Sequence, residues 1–293
     1  MYKLLVTGAQ GQIGRSIQAR INDDKWDALM TTKTVLDITN SANVSAIFAQ
    51  FKPDVVINSA AYTHVDRAEK EPEYAEAVNA YGVYLLAKQC RESGALLIHF
   101  STEYIFDGYA KNSYSEDDLP APLGVYGRTK WRGDQYVRAY LENYIIIRTS
   151  WVFSEYQHNF VATMLKLDRH SDEICVVNDQ VGCPTYAGDI ANLVLDIAED
   201  YVRDRGRYKF GEYHFCGDSW LSWYDFACAI FAEVDKYPQA KKQRQLTGIS
   251  SEEYAAMAKR PGNGRLNCHK IWHLFSPSDW RRGLQCVIKK LLG

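Results

Sequence analysis

Tyr126 and Lys130 stand four residues apart in the run Tyr126-Gly127-Arg128-Thr129-Lys130, a spacing that a helix turns into two side chains on one face, one turn apart. An ammonium beside a phenol favours the phenolate and lowers its pKa from the ordinary value of about 10. Such a pair is a proton donor and acceptor usable near neutrality. Upstream, the apolar run Leu96-Leu97-Ile98-His99-Phe100 ends in Ser101-Thr102-Glu103-Tyr104, which puts hydroxyls at the carboxyl end of a strand, where open α/β sheets bind their ligands. Thr102 can there hydrogen-bond a substrate carbonyl oxygen; a plain strand cap is the competing reading. Near the start, Gly8, Gly11 and Gly14 follow the apolar run Lys3-Leu4-Leu5-Val6 and precede a helical stretch. Glycines so spaced permit a tight turn, let a pyrophosphate approach the backbone and let the helix pack on the strand. The free amides of the helix start face the phosphates.

These residues need a scaffold, and the first half supplies its pattern. Strand-like runs at 3–7, 28–31, 55–59, 96–101 and 144–149 alternate with helical stretches at 12–21, 41–51, 72–92 and about 126–142. That rhythm predicts a Rossmann-like, doubly wound parallel sheet over residues 1–150. Beyond Ser150 the rhythm loosens into helical runs near 159–168, 187–201 and 222–236. In the second of these, Ile190, Leu193, Val194, Ile197 and Tyr201 recur at helical spacing and bury one face. Residues 151–293 are read mainly as a smaller, mixed substrate domain, with some segments returning to the first. The segments 203–213 and 236–265, rich in charge, Gly and Pro, read as surface loops.

Composition narrows the classes. At 293 residues the chain can bury a sizeable core, and its formal net charge of -2 gives no basic field for nucleic acid or an anionic membrane. No apolar run approaches the roughly 20 residues of a membrane span, and the opening strand runs straight into glycine turn chemistry rather than a secretory leader. The 7 cysteines form no CxxC pair, so reduced thiols and a cytoplasmic location are expected.

The order of motifs resembles the extended short-chain dehydrogenase/reductase superfamily: the glycine run, Asn58-Ser59-Ala60-Ala61, the run from Ser101 to Gly108, then Tyr126 to Lys130. Three later runs, Arg148 to Phe153, Asn178 to Thr185 and Arg260 to Asn267, resemble the dTDP-4-dehydrorhamnose reductase branch. That resemblance implies hydride transfer from a nicotinamide to the 4-keto carbon of a dTDP-linked deoxysugar. Tyr126 is implied as proton donor, Lys130 as the holder of the nicotinamide ribose, and Thr102 as the group polarising the carbonyl. Gly8, Gly11, Gln12, Ile13 and Gly14 are implied around the pyrophosphate, Asp37 and Ile38 beside adenine, and Ala61, Tyr62 and Thr63 along the ribose and phosphates. Glu103 and Trp151 match substrate contacts, Glu103 standing where the family usually has aspartate.

The second strand ends in Met30-Thr31-Thr32-Lys33, without the acid that would bind the adenosine ribose hydroxyls. Hydroxyls and a cation suit a 2′-phosphate, so NADPH is expected, with NADH also accepted. Some members bind Mg2+ through glutamates at a dimer contact; the matching positions are Ser16 and Gly188, which supply no carboxylate. No metal is expected, and a homodimer is left open. Cys268, His269 and His273 are a weak metal constellation. His64 and Asp66 read as either surface or ligand contacts, and Lys241 to Arg244 as a solvated face or an approach to the diphosphate. Two other functions stay open: a sugar-nucleotide epimerase or dehydratase with bound NAD, and a non-catalytic subunit resembling the regulatory partner of methionine adenosyltransferase.

Overall fold

The computed structural model describes every residue but 157, 205–208 and 239–243. The first half forms β1 (Tyr2–Thr7), α1 (Gln12–Gln18), β2 (Trp26–Met30), α2 (Ser41–Phe51), β3 (Val55–Asn58), α3 (Val65–Ala68), α4 (Pro72–Glu76), α5 (Gly82–Ser93), β4 (Leu96–Thr102), α6 (Val125–Tyr140) and β5 (Tyr144–Thr149). The second half adds β6 (Val152–Phe153), α7 (Phe160–His170), β7 (Glu173–Val177), β8 (Val181–Gly182), β9 (Thr185–Tyr186), α8 (Ala187–Arg203), β10 (Gly211–His214), β11 (Leu221–Ser222), α9 (Trp223–Val234), β12 (Gln245–Ile249), α10 (Ser251–Tyr254), α11 (His269–Trp272) and α12 (Trp280–Leu292).

Six parallel strands make one sheet in the order β10-β5-β4-β3-β1-β2. The inner strands are unbroken apolar runs because helices cover both faces; Val55 to Ile57 and Ile145 to Ile147 are buried. On one face Ile190, Val194, Ile197 and Tyr201 of α8 pack against Leu4, Val6 and Ile57 in a common core. On the other, Val44 and Phe48 of α2 and Leu86 of α5 meet Leu5, Val56 and Ile146. A separate cluster joins Phe153, Val161, Ile174, Phe226, Ile230, Trp280 and Val287 in the second half.

Both segments read as surface loops contain sheet. Within 203–213, Gly211 begins β10, which pairs with β5 and extends the sheet to six strands. Its sequence, Gly-Glu-Tyr-His, lacks an apolar run because Glu212 and His214 serve as partners of Arg148. Within 236–265, β12 pairs in parallel with β7. This short edge strand has only partly covered side chains, so no apolar alternation marks it. The stretch read as one helix over 72–92 is interrupted at Ala77–Tyr81 by a π-helical turn.

Candidate active site

The strand order reverses between β1 and β3, where a doubly wound sheet opens a crevice at its carboxyl edge. The glycine turn after β1 lines it. Gly8 has φ +67, and a Cβ there would stand 2.6 Å from the Ala60 nitrogen; at Gly14 it would stand 2.4 Å from the Gly8 carbonyl oxygen. Gly11 is open apart from that same carbonyl at 3.2 Å. The turn is thus closed against protein at Gly8 and Gly14 and free at Gly11.

Gly8, Gly11, Asp37, Ile38, Ala61, Tyr62 and Thr63 line a cavity of about 490 Å³. The other expected cofactor residues lie elsewhere. Ile13 packs against the core. The Gln12 amide donates to the Val152 carbonyl at 3.2 Å, and its oxygen accepts from Ser154 Oγ and Asn159 Nδ2, so it ties the turn to the second half. Asp37 accepts from the Thr39 amide at 2.9 Å and hydroxyl at 2.7 Å, shaping the cavity wall. Asn79, carried inward by the π-helical turn, holds the Tyr62 backbone at both its N–H and C=O. No sequence spacing announced Asn79, because only the bulge aims it at the loop after β3.

The residues expected to face a 2′-phosphate divide. Thr31 is buried and its hydroxyl donates to the Val6 carbonyl of β1 at 2.9 Å, so it is turned away from the cavity. Thr32 and Lys33 line the cavity, and Lys33 Nζ donates to the Tyr74 hydroxyl at 2.8 Å. The Tyr74 hydrogen bond and charge raise the Lys33 pKa. The cation is retained.

Thr102 ends β4, and Tyr126 and Lys130 share the first turns of α6. Thr102 Oγ1 donates to Glu103 Oε2 at 2.9 Å and accepts from the Tyr104 amide at 3.2 Å. Burial pushes the Glu103 carboxyl up to about 7, against the Thr102 bond that pulls it down. The expected depression of Tyr126 by Lys130 is absent. Burial and then the Glu103 carboxylate push the phenol up, while a hydrogen bond with Thr102 pulls it down. Lys130 turns instead into β4, where Nζ donates to the Phe100 carbonyl at 2.5 Å and lies 3.4 Å from His99 Nε2. Tyr126 is therefore held as a neutral phenol, the form that donates a proton.

The second half walls the other side. Trp151 has φ 46, a strained value for a bulky residue. Its ring stacks on Trp223 at 3.5 Å and 9°, and a Cβ on Gly182 would reach within 2.4 Å of the indole. Gly182 and Trp223 together hold that conformation. Trp223 lines a second cavity, of about 250 Å³, with Phe160, Val177 and Arg260. Arg260 crosses between the halves, donating to Asp66 Oδ2 at 2.6 Å and pairing with Tyr104; Asp66 Oδ1 also accepts from the Ala258 amide. Asp66 is thus a tether, and His64 lines the first cavity.

Of the cationic run, 241–243 lie outside the described residues, and Arg244 pairs with Asp168 and Asp235. Cys268 is buried with its sulfur 3.3 Å from that of Cys216, while His269 lies against Trp272.

A family model described as the RmlD substrate binding domain matches residues 2–292. A dTDP-4-dehydrorhamnose reductase of Aggregatibacter actinomycetemcomitans is 43% identical over 290 residues, covering 98% of each chain. The chain belongs to the dTDP-4-dehydrorhamnose reductase family. The family resemblance extends to solved structures along the whole length. A reductase of this name from Bacillus anthracis, solved in complex with NADP, superposes with a TM-score of 0.91 at 33% identity, covering 99% of this chain and 100% of that one. One from Clostridium acetobutylicum gives 0.91 at 36% identity, covering 99% of both.

Proposed function

We propose that the chain reduces the 4-keto group of dTDP-4-dehydro-L-rhamnose to dTDP-L-rhamnose with NADPH, Tyr126 donating the proton. The observation that carries this reading is the placement of Tyr126, in the first turn of α6, and Thr102, at the carboxyl end of β4, on the sheet whose glycine turn lines a cavity together with Lys33. The lining of that cavity suits a dinucleotide: Gly11 would leave room for a pyrophosphate, Asp37 and Ile38 would lie beside the adenine, and Lys33 would meet a 2′-phosphate. When bound, the cofactor supplies the hydride.

The chain's own residues do the rest. Thr102 Oγ1 orients the substrate carbonyl by a hydrogen bond and polarises it. Tyr126 holds its proton at the phenolic oxygen until negative charge develops on the substrate oxygen, then releases it there. Lys130 would hold the nicotinamide ribose and steady the phenolate left on Tyr126. Trp151 offers a flat apolar wall to the deoxysugar ring.

The test is loss of NADPH absorbance on adding dTDP-4-dehydro-L-rhamnose to the purified protein, with dTDP-L-rhamnose as the product. No substrate-dependent oxidation, or turnover with tightly held NAD+ and no added reductant, would overturn the reading. Lys33→Glu puts a carboxylate where the 2′-phosphate sits. Like charges there are expected to weaken NADPH about tenfold or more while leaving NADH within about threefold. Because Lys33 is exposed, the effect shrinks as salt is added; equal losses for both cofactors would remove Lys33 from that contact.

A further inference from the structure

Behind Lys130 lies a set of buried ionisable groups that hydride transfer and protonation leave unused. Asp134 sits on α6 one turn beyond Lys130 and is fully buried. Its Oδ2 accepts from Ser101 Oγ at 2.7 Å. Its Oδ1 has no hydrogen-bond partner among the described residues and lies 3.6 Å from His99 Nε2. Farther back, Arg148 Nε is 3.8 Å from Asp134 Oδ2, and the same guanidinium pairs with Glu212 and lies 3.3 Å from His214 Nε2.

His99 does not supply the charge in this cluster. Asn58 Oδ1 accepts from the Thr7 hydroxyl at 2.6 Å and the Ala60 amide at 3.3 Å, which leaves Asn58 Nδ2 to donate to His99 Nδ1 at 3.0 Å. An imidazole that accepts at Nδ1 carries its proton on Nε2 when neutral. Burial and the nearby Lys130 hold His99 well below its ordinary range, so it stays neutral.

The ammonium of Lys130 is therefore a buried cation whose compensation must come from elsewhere. Burial lowers its pKa to about 8, and the group acting in the other direction is the Asp134 carboxylate. Around the pair stand His99 and Ser101 from β4, Tyr126 from α6, Arg148 from β5 and Glu212 from β10. The Asp134 pKa is raised, by burial first and also by Glu212, with Arg148, Lys130 and Ser101 acting in the other direction.

We propose that Asp134 is the positioning residue of Lys130: its carboxylate keeps the ammonium charged inside the protein, with neutral His99 filling the space beside them. This rests on the reading above in which Lys130 serves hydride transfer as a cation. Removing the carboxylate leaves desolvation unopposed, so the Lys130 midpoint falls and the neutral amine gains population at neutral pH.

The direct readout is the 13Cε resonance of Lys130 followed against pH in the cofactor-free protein, assigned with Lys130→Met. Asp134→Asn is expected to lower the midpoint by about one pH unit or more, a tenfold change in the ammonium-to-amine ratio, and Asp134→Glu to keep it within about 0.3 unit of wild type. The alkaline limb of the kcat/KM profile for NADPH-dependent reduction should move with it. A folded Asp134→Asn protein with an unmoved midpoint overturns the proposal, as does Asp134→Glu falling as far as Asp134→Asn. Should the single variant not fold because Arg148 loses a partner, Asp134→Asn with Arg148→Met removes both buried charges and leaves Glu212 with Arg138. The midpoint must fall there too, or the proposal fails. Because the resonance needs no substrate, an inactive wild type would count against the reductase reading alone.

Discussion

Tyr126→Phe is expected to lower kcat for NADPH-dependent reduction by about a hundredfold or more, which is roughly 2.7 kcal/mol of transition-state stabilisation. The loss is assigned to one atom. The ring stays in place because its edge contact with Tyr104, at 5.4 Å and 77°, needs no hydroxyl. What disappears is the proton held by a phenol that burial and Glu103 keep neutral. Thr102 cannot replace it, since an alcohol is a far weaker acid than a phenol. Affinity for NADPH should stay within about twofold, as measured by quenching of tryptophan fluorescence, so kcat falls without a matching change in binding. A Phe variant within tenfold of wild type would move the acid to another group. Glu103, pushed up to about 7, would then be the first to examine.

Gly14→Val is expected to weaken NADPH binding at least a hundredfold and to destabilise the protein by about 1–3 kcal/mol. A Cβ there would lie 2.4 Å from the Gly8 oxygen, 2.6 Å from the Ala9 Cα and 2.9 Å from the Ala9 carbonyl carbon. All three are backbone atoms, so no side chain can swing aside; either α1 lifts from β1 or the turn that lines the cavity is pushed outward. Gly8 cannot absorb the movement, because its own φ of +67 and its contact with Ala60 already fix it. Calorimetric titration with NADPH and a thermal melt separate the two losses. Gly11→Ala supplies the contrast: its Cβ would meet one carbonyl at 3.2 Å, so stability should hold while binding falls. Equal melting temperatures for Gly14→Val and wild type would show that the turn is not packed as described.

Much of the scaffold was legible because its signals are local. Five of the six sheet strands are apolar runs between glycine and helix signals, and helices Ser41–Phe51 and Ala187–Arg203 keep a 3.6-residue apolar stripe. β10 was missed because its pairing partner, β5, lies far back in the chain and its residues are polar for the sake of Arg148. Lys33 was legible as a cation just past the end of a strand; Thr31, two positions earlier, was misread because its amide and hydroxyl both turn back to the Val6 carbonyl of β1.

The sequence by itself determined which groups stand at the carboxyl edge of the sheet. The glycine spacing, the hydroxyls closing a buried strand and the Tyr126-to-Lys130 interval are set by periods of two and 3.6 residues, which need no knowledge of distant neighbours. Tertiary structure decided what those groups are chemically. Tyr126 keeps its proton and Lys130 is a buried cation because of desolvation and of Glu103 and Asp134 around them. Trp151 is held in a left-handed conformation by Gly182 and Trp223, which reach it from two other segments. Protonation state and strain depend on the field and packing of residues remote in the chain, and no local pattern carries those.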